Sequence, residues 1–163
     1  MPDDVGDRDE GVIQRLAAIP ERMRRAVAGW SDERLGTPSA DGEWPASAIL
    51  AHVRASDAIQ APRLLMILVR DNPPLPAFDE RRWAEVAAFD ELDFATSLTA
   101  FALQRAELVA ALRRVAPDDW RRTGTHEIRG SVTLLDVWRG LVEHEEEHCA
   151  QLEALSTRAA PDL

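Results

Sequence analysis

The chain reads as a single all-α domain, a four-helix bundle, and three observations carry that reading. Alanine occurs 26 times and leucine 18 times against only 8 glycines, a composition rich in good helix formers. No segment sustains the period-2 alternation of a half-buried strand, and no internal repeat or low-complexity tract interrupts the chain. Four long stretches instead place apolar residues at helical spacing, with connections of a length that suits a bundle.

The elements follow in order. The acidic segment 1–8 is read as a disordered tail, and 9–163 as one domain. Residues 9–29 place Val12, Leu16, Ile19, Met23 and Val27 on one face, with Pro20 predicting a kink or two abutting pieces. Ser31 can cap the short turn SDERLG ahead of the loop TPSADGEW. A second long helix starts near Trp44, takes Pro45 at its first position, and runs to about Arg70 with a bend at Pro62. DNPPLPAF is a proline-rich connection, followed by a short helix over Glu80–Ala88 and a third long helix over Asp93–Val115. APDDWRRTGTHEIRG is read as a loop, after which Ser131 or Thr133 caps a last helix reaching about Thr157.

Composition excludes several functions. With 163 residues the chain can bury a real core, and its net charge of −10 repels phosphate backbones and anionic lipid. Nucleic acid and membrane surfaces are therefore poor partners. The longest apolar run of note, Leu64–Val69, is far short of the roughly 20 residues that span a bilayer. The acidic start lacks the apolar segment of a signal peptide, and a lone cysteine, Cys149, forbids an intrachain disulfide. A cytoplasmic location is expected. Lysine and tyrosine are absent, so Schiff-base chemistry and a tyrosine general acid are excluded.

The histidines carry the chemistry. On a helical wheel, Leu134, Val137, Leu141, Leu152 and Leu155 all fall within about 40° of His148, and so does His144. Both histidines thus interrupt the stripe that must face the core. Side chains at i and i+4 lie about 6 Å apart on one face and can converge on one ion. Glu146 and Glu147 point to solvent, while Glu145 lies on the stripe's edge. His52 repeats the pattern, sharing a face with Ala48, Ser56, Ile59 and Met66. Alone, His52 reads as a core histidine; together, three inward histidines on two helices favour a three-ligand metal site.

Two other motifs are weaker. HEEEH, His144–His148, satisfies the zinc-protease pattern, but Gln151 and Ala154 stand where the extended form needs glycine and histidine. A di-iron bundle needs two Glu-x-x-His units, and Glu145–His148 fits only once.

The series GEWPASAILAHVRASD, FALQRAELVAAL and GSVTLLDVWRGLVEHEEEHCAQLEAL resembles the DinB-like superfamily, also called the DinB/YfiT-like metalloenzymes, over about residues 10–157. The specific elements are the Trp-led start of the second helix with its histidine and the final H-x-x-x-H-x-x-Q, here His144, His148 and Gln151. The resemblance implies a four-helix bundle holding a divalent ion, often zinc or nickel, through His52, His144 and His148. Pro45 replaces the serine that caps this helix in many members, a local capping change. Relatives of this kind include thiol-dependent S-transferases and a mycothiol-dependent isomerase, in which the metal binds a low-molecular-weight thiol as thiolate. The expected function is therefore metal-dependent S-transferase or hydrolase chemistry on a small molecule, with a homodimer as the expected assembly. The alternative is a non-enzymatic metal- or ligand-binding stress protein of the same fold.

Further residues complete the expectations. Glu145, beside His144, is the candidate to take a thiol's proton or orient a water. Arg105 is centred on the apolar stripe of Leu98, Phe101, Val109 and Leu112, so it either grips an acidic substrate or thiol cofactor or pairs with an inward carboxylate such as Glu145. Arg63 is expected at the bundle's end, and His126 on the surface of a loop. Cys149 points away from His148. The five tryptophans are expected at helix ends, with Trp138 bordering the site.

Overall fold

The structure, a computed structural model, describes residues 6–158. Of the acidic segment 1–8, residues 1–5 lie outside the described residues, and the first helix already begins at Gly6. The four long helices are α1 (Gly6–Ala26), α3 (Ala46–Val69), α5 (Phe94–Leu112) and α6 (Leu134–Arg158), with the shorter α2 (Asp32–Gly36) and α4 (Glu80–Val86) between them. α1 runs through Pro20 as one helix rather than two pieces, and α3 runs through Pro62.

Side-chain caps set most of the starts. Ser31 accepts from the Arg34 N–H, Asp79 from those of Arg81 and Arg82, and Asp93 from that of Thr96. At α6, the Asp136 N–H donates to Thr133 Oγ1 while the Thr133 N–H donates to Asp136 Oδ2, a reciprocal capping box. Pro45 occupies the N-cap of α3, one residue before its expected place, and supplies no side-chain cap.

α6 packs against α1 and α3, and α5 packs against the same two helices from the other side. Two apolar clusters show the directions. One joins Leu16 of α1, Ile67 of α3, Leu112 of α5 and Leu141 of α6. The other joins Met23, Ile49, Phe101 and Leu152 from the opposite halves of the same helices. α1 and α6 therefore point one way, and α3 and α5 point the other. Because α3 and α5 are parallel, the chain between them must return along the length of the bundle. Residues 70–93 make that return, and α4 lies on it against α3. Between the two clusters lies a buried polar layer of Arg54, Asp57, Ser97, Arg105 and Glu145.

The segment read as a loop after α5 is ordered structure. A 3-10 turn over Pro117–Arg121 leads into a hairpin, β2 (Thr123–His126) and β3 (Gly130–Thr133), and β1 (Pro74–Leu75) adds to β2 in parallel. Strands of two to four residues are too short to show a period. Gly130 turns the hairpin at φ +73°, a left-handed conformation that glycine adopts freely. Gly124 is needed for closeness: a Cβ there would stand 2.7 Å from Leu75 Cδ1. The sheet closes one end of the bundle through Leu75 and Val132. Arg122 secures it, donating from Nε to the Ile67 carbonyl and from Nη2 to that of Arg70, where the α3 dipole favours a cation. Trp138, expected to border the histidines, is instead fully buried at this end, 6.1 Å from the Trp120 ring. Axial distance explains the correction: Trp138 lies six residues before His144 on α6, about 9 Å along the helix, which a wheel angle does not record.

Candidate metal centre

Three imidazoles meet where α3 and α6 pack. His52 lies in the second turn of α3, and His144 and His148 lie one turn apart on α6. One ring nitrogen from each falls within 4.8 Å of the others. His52 Nε2 and His144 Nε2 are 3.0 Å apart. The His52 ring stands edge-on to His148 at 4.7 Å, and the His144 ring does so at 4.6 Å. The cluster is half-buried.

Neighbours fix the rings. Gln151 Oε1 lies 3.0 Å from His148 Nδ1, and as an acceptor it holds the proton there and leaves Nε2 with its lone pair. Trp44, just before α3, stacks on His148 at 6.1 Å and meets the His52 ring edge-on at 5.1 Å. Arg81 lies over the other side of the site's wall, 5.3 Å from the Trp44 centroid.

The set fits a divalent cation. Burial, then the neighbouring histidines, pushes His52 down to about 4, and burial pushes His144 down as well, so both rings are neutral donors near pH 7. The Nδ1 atoms of both are buried without a hydrogen-bond partner, and it is through Nε2 that the two rings meet each other and Glu80. Three imidazoles converging in this way suit a divalent cation.

Sequence reasoning missed Glu80. Its Oε2 lies 3.7 Å from both His52 Nε2 and His144 Nε2. Glu80 is the first residue of α4, and only the return of the chain along the bundle brings it here. Nothing in the local sequence separates it from the other acids of the chain.

Glu145 and Arg105 form a different cluster. Glu145 is completely buried, and Arg105 Nη2 donates to it and, at 2.9 Å, to Asp57 Oδ1. Burial pushes the Glu145 carboxyl up to about 8 and raises Asp57, while Arg105 draws both back. Among the described residues, no hydrogen bond joins Glu145 to any of the three histidines. Of the two readings of Arg105, the ion pair with an inward carboxylate is the one the geometry displays.

Two expectations about the remaining polar residues need correcting. His126 lies on β2 and is 8 % exposed rather than on a loop surface, because the hairpin folds it inward. Glu146 does not simply face solvent: it is ion-paired to Arg15 of α1, as Glu153 is to Arg22, lacing the parallel α1 and α6. Cys149 is buried, and burial pushes its thiol up to about 11.

Beside the histidines a cavity of about 290 Å³ runs between α3 and α6. His144 and Glu80 stand at one end of it, and Arg63 and His126 line it farther along.

A bundle with paired parallel helices and a three-histidine cluster opening on a cavity defines a class of helical metal-site proteins. The chain belongs to the DinB superfamily, whose model matches residues 15–152. It is 27% identical over 147 residues to the Bacillus subtilis protein named "Putative metal-dependent hydrolase YfiT", covering 90% of this chain and 83% of that one. A Geobacillus thermodenitrificans protein with the same hydrolase name is 30% identical over 155 residues, covering 93% of this chain and 87% of the relative. The solved structure of the Bacillus subtilis protein, described as having "an unusual four-helix bundle topology", matches with a TM-score of 0.84 at 25% identity, over 94% of this chain and 88% of that one.

Proposed function

We propose that this protein is a metal-dependent enzyme that uses a divalent ion at His52, His144 and His148 to activate a small nucleophile. A low-molecular-weight thiol is the leading nucleophile and S-transfer the leading reaction, with zinc or nickel as the metal. The observation that carries the reading is the cluster of three histidine ring nitrogens within 4.8 Å of one another at the edge of a cavity of about 290 Å³. A structural site would be closed, whereas an open side with a cavity supports catalysis over mere binding. When bound, the ion supplies positive charge and an open position, which lower the pKa of a coordinated thiol or water.

The chain's residues do the rest. His52 and His144 would hold the ion through Nε2, the atoms that stand 3.0 Å apart, and Gln151 orients His148 from behind. Trp44 covers the cluster and excludes water on that side. Glu80 Oε2, 3.7 Å from two of the ligating nitrogens, is placed to accept the nucleophile's proton. The same carboxylate would serve hydrolysis by taking a proton from water, and the names of the relatives favour that second reading. In either form the substrate is a small molecule. Net charge of −10 and the absence, among the described residues, of a helix long and apolar enough to cross a membrane support that choice.

Cobalt substitution tests the reading. A small thiol added to the cobalt protein is expected to produce a sulfur-to-metal charge-transfer band, and thiol-dependent turnover of an electrophilic test substrate should accompany it. Full metal occupancy with no band for any small thiol, and no ester hydrolysis, would instead identify a binding protein.

A further inference from the structure

The cavity beside the histidines is unevenly charged. At the end away from His144, Arg63 of α3 meets His126 of β2 and Arg129 of the β2–β3 turn. Among the described residues, neither Arg63 nor Arg129 makes a salt bridge. Arg63 is 5 % exposed, and a guanidinium that buried is costly without an anion. Its protein partners are neutral: Nη1 donates to Gln60 Oε1 at 3.1 Å, Nη2 donates to the Pro76 carbonyl, and Nε has no partner. Glu80 acts on Arg63 through space alone, while Arg129 opposes it.

His126 adds a neutral donor. Its Nδ1 accepts from the Ile128 N–H at 3.2 Å and the Arg129 N–H at 3.3 Å, which leaves the ring proton on Nε2. Burial first, then Arg63 and Arg129, holds its pKa below the usual histidine range. Two cations and a fixed donor thus line one end of a cavity in a chain whose net charge is −10. Such a local reversal of sign concentrates anions that the rest of the surface repels.

We propose that Arg63, His126 and Arg129 form a carboxylate subsite, which holds the acidic end of a small molecule whose reacting group lies beside His144 and Glu80. The inference rests on reading the cavity as the reaction site. Val137, Gly140 and His144 line the cavity along one face of α6, so its two ends are about 10 Å apart. The volume of about 290 Å³ is at the small end of ligand sites, which suits a short-chain acid and excludes a dinucleotide.

Calorimetry on the zinc-loaded protein tests this, with hexanoate as the probe and hexanamide as its uncharged match. Hexanoate should bind at least ten-fold more tightly than hexanamide. Arg63→Gln should weaken hexanoate about ten-fold, and Arg129→Gln about three-fold. Arg129 is exposed, so its variant remains informative if Arg63→Gln fails to fold. Arg139→Gln, exposed on α6 and outside the cavity lining, should change nothing. Equal binding of acid and amide, or hexanoate binding untouched by Arg129→Gln and by a folded Arg63→Gln, overturns the subsite. The parent reading is followed separately on the cobalt-substituted protein with 6-mercaptohexanol, which has a thiol and no carboxylate. Loss of its charge-transfer band with arginine-dependent hexanoate binding retained would count against the metal–thiol reading and leave the subsite supported.

Discussion

Two polar clusters interrupt the apolar interior of this bundle, and they solve the problem of buried polarity in opposite ways. In the layer of Arg54, Asp57, Arg105 and Glu145, two cations face two acids, and Arg105 reaches across from α5 to bond carboxylates on α3 and α6. Its cations and acids face one another within the protein and the group is sealed, although Arg54 Nε, Arg105 Nε and Nη1 and Glu145 Oε2 carry no hydrogen bond. In the second cluster, His52, His144 and His148 bring one ring nitrogen each together, with Glu80 beside two of them and no cation paired to the group among the described residues. That cluster is half-exposed and incomplete. Opposite charges sealed together hold a fold, whereas like donors gathered at a cavity's edge invite a ligand.

Breaking each cluster should therefore have a different outcome. Arg105→Met strands two buried carboxylates and should cost about 3–5 kcal/mol, read as a lower denaturant midpoint. His144→Ala should leave the helical signal and the midpoint nearly unchanged in the metal-free protein while removing stoichiometric metal. A large loss of metal-free stability in His144→Ala would erase the distinction between the clusters. Glu80→Gln should keep metal content and reduce turnover about 100-fold, the scale of a lost general base. Glu145→Gln sharpens the contrast, because its expected effect falls on stability more than on turnover. Gln151→Ala should weaken metal affinity about ten-fold by freeing the His148 ring. Smaller still, Thr133→Ala removes one partner of the α6 capping box and should cost about 1 kcal/mol of stability with metal content intact.

Much of the fold was legible because the long helices announce themselves through spacing and caps. Ser31 caps where the sequence places a cap, Thr133 is the one of the two candidates that caps α6, and Asp93, read as the first residue of its helix, is its N-cap. The strands were hidden by their length, and Gly124 and His126 read as loop because two to four residues carry no period. Glu80, Arg63 and Arg129 were hidden for another reason. Their meeting along the cavity depends on the parallel pairing of α3 and α5, a tertiary choice that sends the intervening chain back past the histidines. Local pattern holds no record of that choice. Glu145 shows the limit of the wheel: an angle places a side chain on an edge, but Arg105 decides that the edge is buried.

The central claim is that His52, His144 and His148 together complete themselves with one divalent ion. Elemental analysis of untagged protein, beside His52→Ala, His144→Ala and His148→Ala, tests it most directly. One equivalent of zinc or nickel in the parent chain and almost none in each variant is the expected result, with His126→Ala and Cys149→Ala retaining the full equivalent. Metal retained in His144→Ala, or lost from His126→Ala, would contradict it.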